Sequence, residues 1–184
     1  MQQQAILRRS ETALIVIDVQ ERLSAVMQKR EQLLERCARL IKGFQLLKLP
    51  VLATEQYPKG LGRTEAPLAE LLRSTEIIEK QKFGCMGVPA FDRAVAALGT
   101  KQLVLCGIES HVCVQQTALD LAAADYRVHI AADAVTSRHE EDERTALSRM
   151  RDAGITITTS EAVLFELLES SEAPEFKEIA KLVK

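Results

Sequence analysis

The sequence has 184 residues, of which 47% are hydrophobic and 27% charged, and its formal net charge is −2. This length suits one domain, residues 1–184, with a substantial apolar core, and the composition excludes a disordered or fibrous chain. Basic and acidic residues are interspersed, which argues against nucleic acid and anionic lipid as partners, so we expect a small-molecule substrate.

The four cysteines suggest neither a metal site nor a disulfide framework. They lie at Cys37, Cys85, Cys106 and Cys113, with no Cys-x-x-Cys pair. No apolar run approaches the roughly 18 residues that span a bilayer, and the first residues lack the apolar core of a signal peptide. We expect a cytoplasmic protein without membrane association; a few early arginines leave organellar import as a weaker alternative.

The first predicted element is a strand buried on both faces. Residues 12–18, TALIVID, form an apolar run rich in β-branched residues without alternation, which is typical of a parallel sheet. In the next segment, residues 26–47, apolar side chains recur every three or four positions between charged ones, as in an amphipathic helix.

Strands and helices keep alternating to the end of the chain, separated by glycine and proline. In order we predict strand 51–54, loop 57–67, helix 68–73, strand 76–79, helix 89–98, strand 101–107, helix 111–124, strand 127–133, helix 140–153, strand 155–159, and helices 162–168 and 175–183. Right-handed crossovers then give a three-layer, Rossmann-like α/β fold, with a six-stranded parallel sheet in the order 3-2-1-4-5-6 and helices on both faces.

Three candidate residues follow strands at the carboxyl edge of this sheet, where doubly wound folds bind ligands. Asp18 ends the first strand, Lys80 follows the third, and Cys113 lies on the turn after the fourth. In the predicted order the first and fourth strands are neighbours, so Asp18 and the Cys113 turn should lie side by side.

These residue types together suit a cysteine nucleophile. The first turn of a helix and a nearby lysine favour a thiolate, and a carboxylate kept ionised by a cation can accept the thiol proton. Backbone amides at Cys113 and near Glu109 are free to hold an oxyanion. Each residue alone also has a structural explanation, since a cysteine is usually core, as we expect for Cys37 and Cys106.

The motifs VIDVQ at 16–20, EKQKFG at 79–84 and CGIESHVCVQQTALD at 106–120 closely resemble the isochorismatase-like cysteine hydrolases. The most specific part is Gly-hydrophobic-x-Ser-x-x-Cys-Val at 107–114. The segments ADAVTSR at 132–138, ALSRMRDAGITITTSEAVLFELL at 146–168 and FKEIAKLVK at 176–184 are similar to the compact branch called isochorismatase domain-containing proteins.

The resemblance implies a role for each residue of the site. Cys113 attacks a carbonyl carbon to form a thioester, Asp18 takes the thiol proton and later activates water, and Lys80 orients Asp18. It also implies a cis peptide between Ile108 and Glu109 that directs the Glu109 amide to the oxyanion. Lys82 is the alternative to Lys80, although the small residue expected four positions after the lysine is Gly84 if Lys80 is chosen.

Departures from better-known members bear on the substrate. Nicotinamidases of this superfamily carry metal-binding Asp and His residues after the second strand, whereas residues 54–58 here are TEQYP, so we expect no metal and no cofactor. Isochorismatases cleave a vinyl ether without the cysteine, so Cys113 favours an amide or ureide. The candidate pocket residues are Gln20, Gln56, Tyr57, Phe83, Met86 and His111, the last of which could instead cap the helix.

Other polar features have structural interpretations. Asp133 should organise the turn after the fifth strand, residues 138–144 should be the solvated start of a helix, and the C-terminal helix should pack on the body or on another subunit.

Two further functions stay open: a binding or scaffold module with little turnover, and a redox-sensing thiol with Cys85 resolving a Cys113 sulfenic acid. The resemblance also suggests a homo-oligomer, a dimer or tetramer.

Overall fold

Residues 6–184, which a computed structural model describes, are organised around one six-stranded parallel sheet. Its order, β3-β2-β1-β4-β5-β6, confirms the predicted topology. The strands are β1 (Thr12–Ile17), β2 (Val51–Gln56), β3 (Ile77–Lys80), β4 (Gln102–Ile108), β5 (Arg127–Thr136) and β6 (Thr156–Thr158). The order reverses between β1 and β4, which is where a doubly wound sheet leaves a crevice.

Helices connect the strands and cover both faces of the sheet. They are α1 (Glu21–Ser24), α2 (Arg30–Leu46), α3 (Pro58–Leu61), α4 (Ala66–Leu71), α5 (Pro89–Ala97), α6 (Gln115–Ala123), α7 (Glu140–Asp152), α8 (Ser160–Leu168) and α9 (Phe176–Val183). The short helices α1 and α3 are new relative to the sequence prediction, because each is a single turn without a periodic apolar face. A 3₁₀ turn, Arg9–Glu11, precedes β1.

Two apolar layers follow from the alternation of side chains along β1. Leu14 and Val16 point to the layer beneath α2, α8 and α9, whereas Ala13, Ile15 and Ile17 point to the layer beneath α5, α6 and α7. All five side chains are buried, as the continuous apolar run predicts. Cys37 and Cys106 lie in the first layer, which confirms their assignment to the core.

The fifth strand continues past its predicted end at Asp133. A bulge causes this extension, since Leu105 pairs with Ile130 but Gly107 pairs with Val135. Asp133 therefore lies within β5, and its carboxylate accepts hydrogen bonds from the N–H and the hydroxyl of Ser160, both at 2.6 Å. The expectation that Asp133 organises the turn after the strand is wrong, because it anchors the start of α8 instead.

Within the predicted charged segment 138–144, residues 140–143 form the acidic first turn of α7. Glu140 and Glu141 are exposed, as expected, but Glu143 is buried and accepts hydrogen bonds from Lys29 Nζ at 2.9 Å and Thr136 Oγ1 at 2.8 Å. At the C-terminus, α9 packs against α2 with Ile179 fully buried, so its apolar face contacts the body of the same chain.

Candidate active site

Asp18 lies directly after β1, in the middle of the carboxyl edge of the sheet. Its φ of 52° is in the left-handed region, which aspartate tolerates better than most side chains. Its N–H donates to Thr54 O at 3.2 Å, and Thr54 Oγ1 donates to Asp18 Oδ1 at 2.7 Å. Both hydrogen bonds are made by Thr54 of β2, so the neighbouring strand fixes the backbone and the carboxylate of Asp18.

Lys80, the last residue of β3, reaches across β2 to this carboxylate. Its Nζ donates to Asp18 Oδ2 at 2.6 Å, and both side chains are 0% exposed. The same ammonium donates to Gln56 Oε1 and to Phe83 O, each at 2.9 Å. Burial lowers the pKa of Lys80, but the Asp18 carboxylate and the neighbouring cysteines raise it, and the net direction is upward. Lys80 is therefore held as a cation.

The alternative lysine, Lys82, contributes its carbonyl oxygen, which accepts from Lys80 Nζ at 3.2 Å, but its ammonium lies outside this network. Its side chain is exposed, and its Nζ donates to Met86 O at 2.7 Å. β3 ends at Lys80 and residues 81–85 form a bend, so strand alternation does not extend to Lys82. The lysine that contacts Asp18 is Lys80.

Cys113 lies on a π-helical turn, Ser110–Val114, that leads from β4 into α6. The prediction of an α-helical first turn at this position is therefore wrong, and π-turns of this kind occur often at functional sites. The Cys113 side chain is buried within the layer that also holds Ile17 and Cys85. The nucleophile candidate thus lies in the apolar layer beneath α5, α6 and α7, near enough to Asp18 and Lys80 for both to affect its pKa.

The protonation state of Cys113 differs from the sequence expectation. Burial raises the pKa of the Cys113 thiol well above its ordinary value, and the Asp18 carboxylate raises it further, while Lys80 lowers it only in part. The direction of this pKa shift is opposite to the expectation that the helix and the lysine favour a thiolate, because burial and the Asp18 charge together outweigh the effect of Lys80.

Gly107 permits the close approach of β1 and β4 beneath these residues. It pairs with Ile17 and has a φ of 121°. A Cβ atom at this position would lie 2.0 Å from Ile17 O, far inside van der Waals contact. Only glycine satisfies both the dihedral angle and the spacing, so this residue sets how closely the Asp18 turn and the Cys113 turn approach each other.

Glu109 joins β4 to the π-turn, and the Ile108–Glu109 peptide bond is cis. Its carbonyl oxygen accepts from Val112 N at 3.1 Å and from Val114 N at 3.2 Å. Its carboxylate accepts from Arg138 Nε at 2.9 Å and from Arg138 N at 3.2 Å. The Glu109 N–H makes no hydrogen bond to any group in residues 6–184.

Two of the six candidate pocket residues serve the framework of the site. Gln20 donates to Gln56 O at 3.0 Å and to Gly62 O at 2.7 Å, and its Oε1 accepts from Gln56 N at 2.7 Å. Gln56 accepts from Lys80 and donates to Gln81 O at 2.8 Å. Both side chains are buried. Gln20 therefore braces the loop after β2, and Gln56 orients Lys80.

The other four candidates occupy different surroundings. Tyr57 and Phe83 are 46% and 56% exposed, on the loops after β2 and β3. Met86 is partly buried against the layer that holds Cys113. The His111 Nδ1 atom lies 2.9 Å from Ser137 Oγ, at the end of β5, and the side chain does not cap the helix.

Three residues of the site were not singled out from the sequence: Thr54, Thr117 and Arg138. Thr117 Oγ1 accepts from Cys85 N at 3.1 Å and donates to Cys113 O at 2.6 Å, so it joins the loop after β3 to α6. Burial raises the pKa of Cys85 to about 11, although Lys80 opposes the rise. Only the Cys113–Thr117 contact had a local signal, the four-residue spacing of a helical back-bond.

Two surface cavities of the structure do not coincide with these residues. One of about 530 Å³ lies between residues 6–8 and α8, and one of about 460 Å³ lies at the start of α2. Neither is lined by Asp18, Lys80 or Cys113. The candidate site is therefore identified by the reactive and charged side chains at the carboxyl edge of the sheet, not by the volume of a cavity.

Residues 6–184 contain no grouping of three or more histidine, cysteine or acidic side chains suited to a metal ion. In the same part of the chain, no helix is both long enough and apolar enough to cross a membrane.

The family model of the isochorismatase domain matches residues 12–162, which includes every residue of the site described above. The chain belongs to the isochorismatase family. This confirms the resemblance inferred from the motifs. Isochorismatase-family proteins are generally hydrolases, and the fold described here is that of an isochorismatase-family chain.

Among curated relatives, the isochorismatase domain-containing protein 1 of Salmo salar is 41% identical over 94% of this chain. The alignment spans 61% of that relative, so this chain covers about three fifths of its length. The MAR1 ribonuclease from Caenorhabditis elegans is 38% identical and superposes with a TM-score of 0.90, covering 97% of this chain and 92% of that one.

The YcaC protein of Escherichia coli, an octameric hydrolase of unknown specificity, has the same isochorismatase fold. It superposes with a TM-score of 0.93 over 99% of this chain and 91% of its own, at 22% identity. At this identity the comparison concerns the fold alone.

Proposed function

We propose that the protein is a cysteine hydrolase that cleaves the C–N bond of a small amide-like substrate through a cysteinyl thioester. The observation that carries the proposal is the buried Lys80–Asp18 ion pair at 2.6 Å, placed beside the Cys113 thiol at the carboxyl edge of the sheet. A buried thiol next to a carboxylate has a base for its proton, and the carboxylate has a cation that keeps it ionised.

In the proposed reaction, Asp18 accepts the thiol proton as Cys113 sulfur bonds to the carbonyl carbon. The oxyanion that forms takes hydrogen bonds from the N–H groups of Glu109 and Cys113. The C–N bond then breaks, and the Asp18 proton goes to the leaving nitrogen. Water enters, Asp18 takes one of its protons, and the resulting hydroxide adds to the thioester carbon. The C–S bond then breaks, the acid is released, and the Asp18 proton passes to the sulfur and restores the thiol.

The resting protonation state favours this order of events. The raised pKa of Cys113 means that a free thiolate is scarce at neutral pH, so proton transfer to Asp18 must accompany attack. Lys80 cannot replace Asp18 as the base, because its own pKa is raised and it stays protonated.

The test is turnover of a panel of small primary amides and ureides, followed by product release and by mass spectrometry of the intact protein. We expect a hydrolysed member of the panel, an acyl adduct on Cys113 after rapid acid quench, and loss of both in Cys113→Ser. Hydrolysis that survives Cys113→Ser would contradict the proposal. So would the isochorismatase-type cleavage of a vinyl ether as the only activity, since that reaction does not use the cysteine.

RNA cleavage is a second candidate function, since the C. elegans MAR1 ribonuclease is 38% identical over nearly the whole chain. Against it, the chain has 24 basic and 26 acidic residues, which gives no excess of positive charge for a phosphate backbone. A 5′-labelled single-stranded RNA, incubated with the protein and with Cys113→Ser, distinguishes the two. Cleavage that depends on Cys113 would replace the amide proposal.

The remaining alternatives are less well supported by the same geometry. A binding module without turnover would not need a buried Lys80–Asp18 ion pair beside the thiol. A peroxide-sensing thiol needs thiolate character, and burial raises the pKa of both Cys113 and Cys85.

We also propose that the protein forms a homo-oligomer. The exposed rings of Tyr57 and Phe83 beside the crevice are consistent with a covering subunit, and the E. coli YcaC protein is octameric. Size-exclusion chromatography with light scattering tests this; a monomer at micromolar concentration would contradict it. A cytoplasmic location stays a prediction.

A further inference from the structure

The carbonyl oxygen and the carboxylate Oε1 of Glu109 both accept hydrogen bonds, whereas its N–H has no partner in residues 6–184. The carbonyl oxygen accepts two helix N–H groups, those of Val112 and Val114. The carboxylate accepts from the backbone N–H and the Nε–H of Arg138, a residue of the loop between β5 and α7. Glu109 is thus tied to the π-turn through its carbonyl oxygen and to the loop between β5 and α7 through its carboxylate.

The contact between Arg138 and the Glu109 carboxylate also changes the electrostatic potential near the Glu109 N–H. The Glu109 side chain is 10% exposed, so its negative charge is poorly screened by water. A substrate oxyanion bound to the Glu109 N–H would lie near the carboxylate of the same residue, and the two negative charges would repel each other. The guanidinium of Arg138, 2.9 Å from the carboxylate, offsets that charge.

We propose that Arg138 is a positioning residue for the oxyanion site: it fixes Glu109 through its carboxylate and neutralises the charge nearest the developing oxyanion. The inference rests on the proposed function, because it requires Cys113 to form a tetrahedral intermediate. Arg138 itself does not touch the reacting atoms. Its effect is exerted on the rate of acylation, not on the nucleophilicity of the thiol.

Two reagents separate these effects without knowledge of the natural substrate. Acetylation of Cys113 by 4-nitrophenyl acetate passes through an oxyanion, and the burst of 4-nitrophenolate reports its rate. Thiolation of the same sulfur by methyl methanethiosulfonate forms no oxyanion. We expect Arg138→Gln to slow acetylation about tenfold, less than the loss of a whole oxyanion donor, and to leave thiolation unchanged.

The double variant Glu109→Gln/Arg138→Gln tests the charge component. Removing the carboxylate together with its cation takes away the repulsion, so acetylation should recover in part relative to Arg138→Gln. Arg144→Gln is the matched control, because Arg144 pairs with Glu141 at 2.9 Å on the exposed surface of α7. This variant should acetylate at the wild-type rate.

Equal acetylation by wild type and Arg138→Gln would overturn the inference, and so would equal slowing of acetylation and thiolation, which indicates a misplaced or occluded thiol. If Arg138→Gln does not fold, Arg138→Lys carries the test by the same comparison of the two reagents. Absence of any acetyl-Cys113 in the wild-type protein would instead overturn the proposed function, and this inference with it.

Discussion

At the scale of single residues, the stability of the site depends on Lys80 and Asp18 remaining paired. Both side chains are fully buried, and a buried charge without its partner is strongly unfavourable. Lys80 has three further acceptors, but these are neutral, so only Asp18 balances its charge. The ion pair is thus a requirement of the fold as well as of the proposed chemistry.

We expect Lys80→Met to lower the free energy of unfolding by about 3 kcal/mol, because it leaves the Asp18 carboxylate buried without a cation. Asp18→Asn/Lys80→Met should be more stable than Lys80→Met, since no charge stays buried. Lys82→Met is the control and should unfold like wild type, as its side chain is exposed. Urea unfolding followed by circular dichroism measures all three; equal losses at Lys80 and Lys82 would contradict the assignment.

At the scale of elements, the pairing of β1 with β4 brings the candidate residues together, and Gly107 makes that pairing possible. We expect Gly107→Ala to destabilise the protein by about 3 kcal/mol or more, because its Cβ would meet Ile17 O. Gly99→Ala is the control: its φ of 64° is also positive, although smaller than that of Gly107, and no atom lies within 4 Å of the added Cβ. Its loss should be only about 1 to 2 kcal/mol. Similar losses in the two variants, measured by thermal unfolding, would contradict a contribution from the contact with Ile17 O.

His129, in the fifth strand, makes the free energy of unfolding depend on pH. Burial, aided by the charge of Arg127, lowers the pKa of His129 to about 4. Below its unfolded pKa the unfolded chain binds a proton that the folded chain does not, so stability falls as pH drops from about 6.5 toward 4.

We expect wild type to lose about 2 kcal/mol more than His129→Gln between pH 7 and pH 5, measured by urea unfolding. Parallel pH profiles for the two proteins would contradict this origin, since other carboxylates and histidines are common to both.

At the scale of the whole molecule, the sheet order and the burial of β1 follow from local patterns. The apolar run at 12–17 and the repeated alternation of strand and helix suffice for a doubly wound sheet. Asp18 and Lys80 could be placed at its carboxyl edge because both adjoin strands. Motif spacing located Cys113 on the turn after β4.

The details that were missed depend on contacts between distant segments. The bulge in β5 places Asp133 within the strand, where it binds the first residue of α8. The turn at Cys113 is a π-turn instead of the predicted α-helical turn. Neither has a signature in the residues themselves. Arg138 likewise joins Glu109 across 29 positions in sequence, and the raised pKa of Cys113 reflects burial that only the packed structure defines.

The most direct test of the central claim, that Asp18 and Lys80 act electrostatically on Cys113, is site-resolved alkylation by iodoacetamide between about pH 5 and pH 10, read by mass spectrometry. Asp18→Asn removes a charge that raises the thiol pKa, so Cys113 should react at lower pH than in wild type. Lys80→Met removes the charge that lowers it, so Cys113 should react more slowly at each pH. If neither variant changes the Cys113 profile, or if both move it in the same direction, the three residues do not form one electrostatic unit and the account is wrong.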